Sequence, residues 1–124
     1  MKFELDTARA GLSVSGYDEG GILIGDTRHT RPLVITPEAI HTDLLPHSFA
    51  ELSLDHLFVI AALGAEILII GTGSRQILTD ARLIAQMGAR GIGVEIMGNP
   101  AACRCYNVLV AEHRAVAAAL FIGG

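Results

Sequence analysis

Apolar and polar positions alternate near the start of the chain. From Leu12 to Gly16 apolar residues alternate with serines, and the sequence Asp-Glu-Gly-Gly at 18–21 breaks the pattern, which is typical of a β-hairpin. Residues 22–24 form the return strand, residues 26–29 a polar connection and residues 32–35 a third strand. The first third of the chain is therefore predicted to be a small antiparallel β unit.

The middle of the chain changes to a helical period. After an irregular connection with a short strand near Ile40, Ser53 stands at an N-cap position. Apolar residues then follow at spacings of three and four, and Gly64 supplies the stop that ends this first helix. A second helix is predicted from the N-cap Thr79 to about Gly88.

Three continuous apolar runs predict buried strands, at residues 66–70, 92–97 and 116–122. A third helix lies between the last two runs, from Pro100 to about Glu112, with Asn99 as its N-cap and proline at the favoured first position. Strands that alternate with helices indicate an α/β layered domain with a mostly parallel core. Residues 1–124 are predicted to form one such domain.

Composition narrows the class of protein. Hydrophobic residues make up 51% of the 124 residues and charged residues 18%, so a large part of the chain must be buried. The net charge is −4 and aromatic residues are 5%, without a cluster of Lys and Arg, which argues against a nucleic-acid partner. The apolar runs are shorter than the ~18 residues of a membrane span, and the acidic start does not resemble a targeting leader. We therefore expect a cytoplasmic protein that is not inserted in a membrane.

Gly71, Thr72 and Gly73 follow a predicted strand at its carboxyl end, where α/β sheets usually bind ligands. The dinucleotide fingerprint fails because Gln76 stands where a third glycine is required, and a P-loop fails because Gly-Lys-Ser/Thr is absent. Two interpretations stay open. The segment is either a tight turn that needs a positive φ or a binding loop that extends to Arg75.

The two cysteines lie two residues apart in the predicted third helix. Because side chains at that spacing point to nearly opposite sides, Cys103 and Cys105 cannot share a metal ion or form a disulfide. The histidines also lack metal-ligand spacing, so we expect no metal and no cofactor. Cys105 is expected to pack in the core. Cys103 lies near the helix N-terminus, where the helix dipole and Arg104 favour the thiolate, so it is either a structural thiol or a nucleophile without an evident base.

Three further polar residues could contribute to a site. Arg104 and Asn107 fall on one side of the third helix, where they either face a cleft or belong to a solvated face or a buried network. Glu95 lies in an apolar strand, where an unpaired acid is costly. It is expected either to pair with Arg104 or Arg114 or to be a site carboxylate.

Four sequence blocks occur in an order that identifies a known family. They are Ile-Leu-Ile-Ile-Gly-Thr-Gly at 67–73, Gly-Ile-Gly-Val-Glu-Ile-Met at 91–97, Ala-Ala-Cys-Arg-Cys-Tyr-Asn-Val-Leu at 101–109 and Val-Ala-Ala-Ala-Leu at 116–120. Together they resemble the Mth938-like domain family. The resemblance implies a three-layer α/β fold, in which helices flank a central mixed sheet and a small N-terminal antiparallel β unit packs on it.

The chain departs from the family pattern at two places. Met-Gly-Asn-Pro at 97–100 stands where the family usually has Met-Asp-Thr, which removes a carboxylate from the helix entrance. Cys105 stands where the family commonly has Thr. The resemblance implies no catalytic activity and favours a scaffold or assembly role, because relatives include an assembly factor for respiratory complex I.

The first hypothesis is a non-enzymatic accessory protein that binds another protein and assists complex assembly. It agrees with the lack of paired catalytic groups, so no catalytic residue is assigned. The alternative is a small-molecule binding protein or enzyme, with a cleft between the Gly71–Arg75 turn and the Asn99–Asn107 helix start. Backbone N–H groups, Arg75 and Arg104 would hold an anionic or nucleotide-like ligand there. Self-association through an exposed edge of the N-terminal hairpin is a third possibility.

Overall fold

The computed structural model describes residues 11–73 and 81–122, which form two sheets and three α-helices. The strands are β1 (Gly16–Asp18), β2 (Gly21–Ile24), β3 (Thr27–His29), β4 (Leu33–Ile35), β5 (Ile40–His41), β6 (Ile67–Gly71), β7 (Gly93–Met97) and β8 (Val116–Leu120). The helices are α1 (Leu54–Ala61), α2 (Ala81–Gly88) and α3 (Asn99–Ala111), and a 3₁₀ turn at Phe49–Glu51 precedes α1.

The larger sheet is mixed and has the strand order β5-β4-β8-β6-β7. Strand β6 runs parallel to both β7 and β8, whereas β4 runs antiparallel to β8 and β5. Ile69 in β6 lies opposite Glu95 in β7 and Ala118 in β8, which sets the register across the parallel strands. The predicted central mixed sheet is therefore confirmed.

The smaller sheet is antiparallel with the order β1-β2-β3, so the predicted N-terminal hairpin is present. Two expectations for this region were wrong. Residues 27–29 were assigned to a polar connection but form β3, and the predicted strand at 32–35 belongs to the larger sheet. Leu33, Val34 and Ile35 are buried on both faces, and a strand of that kind needs two covered faces.

The larger sheet has a separate core on each face, which makes the fold three layers deep. One face packs against α3 and the smaller sheet, through residues that include Ile69, Ala118, Leu120, Tyr106, Val110 and Ile22. The other face packs against α1 and α2, through residues that include Leu68, Ile70, Ala117, Leu57, Ile60 and Met87. The three-layer arrangement implied by the sequence resemblance is therefore confirmed.

Local signals explain where α1 begins and where α3 ends. Ser53 is the N-cap of α1, as predicted, and its backbone N–H donates to Nδ1 of His56 at 2.9 Å. Helix α3 ends at Ala111, and beyond it His113 adopts a φ of 59° while the N–H of Arg114 turns back to the carbonyl of Leu109 at 2.9 Å. The predicted N-cap of α2, Thr79, lies outside the described residues.

Candidate functional site

The turn after β6 is closed by contacts within the protein. Gly73 has a φ of 107°, which a residue with a side chain rarely adopts, so the tight-turn interpretation of this segment holds. Thr72 is buried, and both its backbone N–H and its hydroxyl donate to the carbonyl of Met97, at 2.9 and 3.3 Å. The turn is thereby tied to the end of β7.

The side chain of Asn99, at the start of α3, contacts this turn and the end of β8. Its Oδ1 accepts a hydrogen bond from the N–H of Gly73 at 3.1 Å, and its Nδ2 donates to the carbonyl of Phe121 at 2.8 Å. Its own backbone N–H donates to the carbonyl of Gly73 at 2.7 Å. One buried side chain therefore connects the ends of β6 and β8 to the start of α3. We call Gly71, Gly73, Asn99 and Phe121 the Asn99 junction.

The predicted N-cap role of Asn99 was wrong. Gly98 is the N-cap of α3, and Asn99 is the first residue of the helix. The amide is engaged with Gly73 and Phe121, so it does not cap the helix. An Asn before a proline is a usual capping signal, and only the position of the other two chain segments reveals the different role.

Gly71 is required for close packing at the junction. A Cβ atom at this position would meet Asn99 Oδ1, and it would lie 2.8 Å from Cδ2 of Leu120 and 3.2 Å from Cβ of Ala102. The close approach that requires a glycine here is therefore made by side chains of the protein. Arg75, the remaining predicted cation of the turn, lies outside the described residues.

Asn107 and Arg104 both connect α3 to the N-terminal part of the chain, at β1 and the residues just before it. Asn107 Oδ1 accepts from the N–H of Val14 at 2.8 Å, and Asn107 Nδ2 donates to the carbonyl of the same residue at 2.9 Å. Arg104 is exposed, and its Nη1 donates to the hydroxyl of Tyr17 in β1 at 3.2 Å. Of the interpretations left open, the structure favours a structural network for Asn107. Tyr17 and Val14 were not anticipated as partners, because about ninety residues separate them from α3.

Glu95 is exposed, so the expected pairing with Arg104 or Arg114 was wrong, and the alternative of a site carboxylate stays a prediction. It shares a sheet face with Ile69 and Ala118, but β7 is the edge strand of the larger sheet and the Glu95 side chain is open to solvent. Within the described residues Glu95 pairs with neither Arg104 nor Arg114; the ion pair found there joins Arg28 to Asp18. Water therefore supplies the solvation that a salt bridge was expected to give.

Cys103 is buried, in agreement with the structural-thiol interpretation, whereas the environment of Cys105 differs from the one expected. Cys103 is 1% exposed, and burial raises the pKa of its thiol to about 11, although the nearby Arg104 acts in the opposite direction. The thiolate is therefore disfavoured at neutral pH, contrary to the helix-dipole argument. Cys105 is exposed and does not pack in the core, because it points away from the side of α3 that buries Cys103.

We expect thiol reagents to distinguish the two cysteines. In the native protein Ellman's reagent should modify one thiol rapidly, because Cys105 is accessible and Cys103 is both buried and protonated. The second thiol should react only after unfolding in guanidinium. The variant Cys105→Ser should lose the rapid reaction and keep the reaction that follows unfolding. Rapid modification of both thiols in the wild-type protein would contradict the assignment.

Two properties of the described residues bear on cofactors and membranes. Residues 11–73 and 81–122 contain no group of three His, Cys, Asp or Glu side chains placed to hold a metal ion. None of the helices found in those ranges has the length and apolar character needed to cross a bilayer. The expected cytoplasmic location stays a prediction, as does ligand binding at the cleft residues Gly71, Thr72, Gly73, Arg75, Glu95, Cys103, Arg104 and Asn107.

Proteins similar to this chain include a eukaryotic assembly factor and a protein named as a bacterial membrane protein. The chain is 32% identical over 114 residues to NADH dehydrogenase (ubiquinone) 1 alpha subcomplex assembly factor 3 of Danio rerio, which covers 91% of this chain and 66% of the relative. It thus spans just under two thirds of that relative. It is 28% identical over 118 residues to the "13 kDa major membrane protein" of Francisella tularensis, with 94% and 95% of the two chains covered.

A solved structure and a family profile identify the family. The solution structure of a Mth938-like domain protein from Bordetella pertussis has a TM-score of 0.78 and 28% sequence identity, with 93% of this chain and 88% of the other covered. The profile of the family described as "Protein of unknown function (DUF498/DUF598)" matches residues 14–121. The chain therefore belongs to the DUF498/DUF598 family and has the Mth938-like fold.

Proposed function

We propose that this chain is a non-enzymatic accessory protein that binds a protein subunit while a larger complex is assembled, and that the complex is respiratory complex I. The observation that carries the proposal is the similarity along 91% of the chain to a protein named as an assembly factor of NADH dehydrogenase. A shared fold alone would not support a shared function, but here the similarity in sequence extends over nearly the whole domain.

The contacts and burial of the candidate polar residues also support a binding role over a catalytic one. The side chains of Asn99 and Asn107 form hydrogen bonds with the backbone of neighbouring segments. Cys103 is buried with a raised pKa. A nucleophile or general base needs a reactive protonation state and access to a substrate, and these residues lack one or both.

A surface on α3 and β1 has the chemical character of a protein-binding site. Tyr17 is 41% exposed and Val108 is 56% exposed, and Arg104 lies one helical turn before Val108 while donating to Tyr17. Tyrosine and arginine are among the side chains that most often carry binding energy at protein interfaces. We call Tyr17, Arg104 and Val108 the α3 strip and assign subunit binding to it.

Removal of the gene from the organism that encodes the chain tests the proposed function. Native gels should then show less fully assembled complex I and more subassemblies, and NADH:ubiquinone activity of the membranes should fall. A plasmid copy of the wild-type gene should restore both. Unchanged amounts and activity of complex I in the deletion strain would overturn the proposal.

The α3 strip is tested by a matched pair of substitutions in the same strain. Val108→Glu should fail to restore complex I, because a carboxylate within the strip must be desolvated on binding. Val59→Glu is the control, since Val59 is 50% exposed on α1, in the layer on the other face of the sheet. Both purified variants should unfold within about 0.5 kcal/mol of wild type, as exposed substitutions usually do. Equal rescue by the two variants would exclude the strip as the binding surface.

A further inference from the structure

A groove at the junction of the two sheets is lined almost entirely by hydrogen-bond donors. It has a volume of about 310 Å³ and is formed by Arg28, His29, Thr30, Arg31 and Thr42. These residues come from the end of β3, from the connection to β4 and from the position directly after β5. The groove therefore belongs to a different part of the fold from the Asn99 junction.

Two of the five residues that line this groove are arginines, in a chain whose net charge is −4. None of the five lining residues is acidic. Arg28 donates from Nη2 to Asp18 at 2.9 Å, which fixes its position. Arg31 is exposed and forms no hydrogen bond or ion pair with the rest of the described chain, so its whole guanidinium group is available to a ligand.

His29 supplies an independent indication that something binds in the groove. Its Nε2 atom is buried, and within residues 11–73 and 81–122 it has no hydrogen-bond partner. His29 lies opposite Ile22 in the small sheet, and Ile22 is completely buried, so the register directs the ring towards the protein rather than away from it. A buried polar nitrogen without a partner is uncommon in native proteins, and a ligand oxygen would satisfy it.

We propose that this groove binds a phosphoryl group. Arg31 and His29 act as its principal donors, and the hydroxyls of Thr30 and Thr42 complete the contacts. The guanidinium group matches the oxygens of a phosphate in a two-point arrangement, and hydroxyl and imidazole donors reach a tetrahedral oxyanion from other directions. The volume lies at the lower end of ligand sites and suits a phosphate or diphosphate group rather than a whole large cofactor. This site is independent of the proposed assembly function.

Titration of the full chain with sodium pyrophosphate, followed by amide NMR spectra at constant ionic strength, tests the proposal. The resonances of residues 28–31 and 42 should shift together and saturate, with a Kd below about 1 mM. Succinate has two negative charges but no phosphoryl group, and it should bind at least about tenfold more weakly. Equal affinity for succinate and pyrophosphate would overturn the phosphoryl assignment.

Arginine variants distinguish this site from general attraction to positive charge. Arg31→Gln should weaken pyrophosphate binding about tenfold, because it removes the free guanidinium and leaves the exposed surface otherwise intact. Arg114→Gln removes an exposed arginine that does not line the groove, and it should leave the affinity unchanged. Equal loss in both variants, or shifts that never saturate, would show that pyrophosphate has no specific site here.

Discussion

Replacement of Asn99 by alanine is expected to lower the free energy of unfolding by about 3 kcal/mol. The side chain is buried, and its loss leaves the N–H of Gly73 and the carbonyl of Phe121 without their partners. Each unsatisfied buried group costs about 1–3 kcal/mol, and the vacated volume adds to the loss. Urea unfolding followed by circular dichroism measures the change as a lower midpoint with a similar slope.

The control for this prediction is Asn107→Ala. Asn107 also makes two hydrogen bonds to the backbone, but it is only half-buried, so water can replace part of what is lost. Its substitution should cost about 1–2 kcal/mol, less than that of Asn99. If Asn107→Ala proves the more destabilising of the two, the Asn99 junction is not the stronger connection.

The second large effect is expected for Gly71→Val, which should destabilise the fold by about 3 kcal/mol or more. The new side chain would meet Asn99, Leu120 and Ala102, and all three are buried and held by their surroundings. The collision would either separate α3 from β6 or break the hydrogen bonds of Asn99. Thermal unfolding should show a midpoint more than about 10 °C below wild type.

Gly88→Ala is the matched control for this glycine. Gly88 is the last residue of α2, and a Cβ atom there meets nothing within 4 Å. The substitution should raise stability slightly, by less than about 1 kcal/mol, because alanine favours helix more than glycine does. A Gly71→Val protein as stable as wild type would mean that the junction can open without cost, contrary to its burial.

The central strands β6 and β8 of the larger sheet could be predicted from sequence because they are apolar on both faces. Residues 67–71 and 116–120 have no polar side chains, and such runs fit a strand with a covered surface on each side. Strand β3 carries no such signal. Thr27 and Arg28 are polar and exposed, and their strand conformation comes from pairing with β2 rather than from burial. Pairing partners depend on the folded arrangement, and a local pattern does not contain them.

The candidate site was less predictable because the contacts of its residues also depend on the folded arrangement. Sequence placed Asn99 correctly at the start of a helix, but its side-chain partners are 22 and 26 residues away. The pKa of Cys103 depends on how completely α3 is covered, and this burial outweighs the charge of Arg104 beside it. Glu95 appeared buried because its strand neighbours are apolar, whereas its position at the edge of the sheet leaves it in water.

The position of β8 has a consequence for how the protein is made. It follows every other strand in the sequence, yet it lies in the centre of the larger sheet, with β4 on one side and β6 on the other. Until residues 116–120 have left the ribosome, the β4–β5 pair and the β6–β7 pair have no shared neighbour. Folding of the central layer therefore waits until residues 116–120 have emerged, and the unpaired edges of both strand pairs stay exposed to other nascent chains during that time.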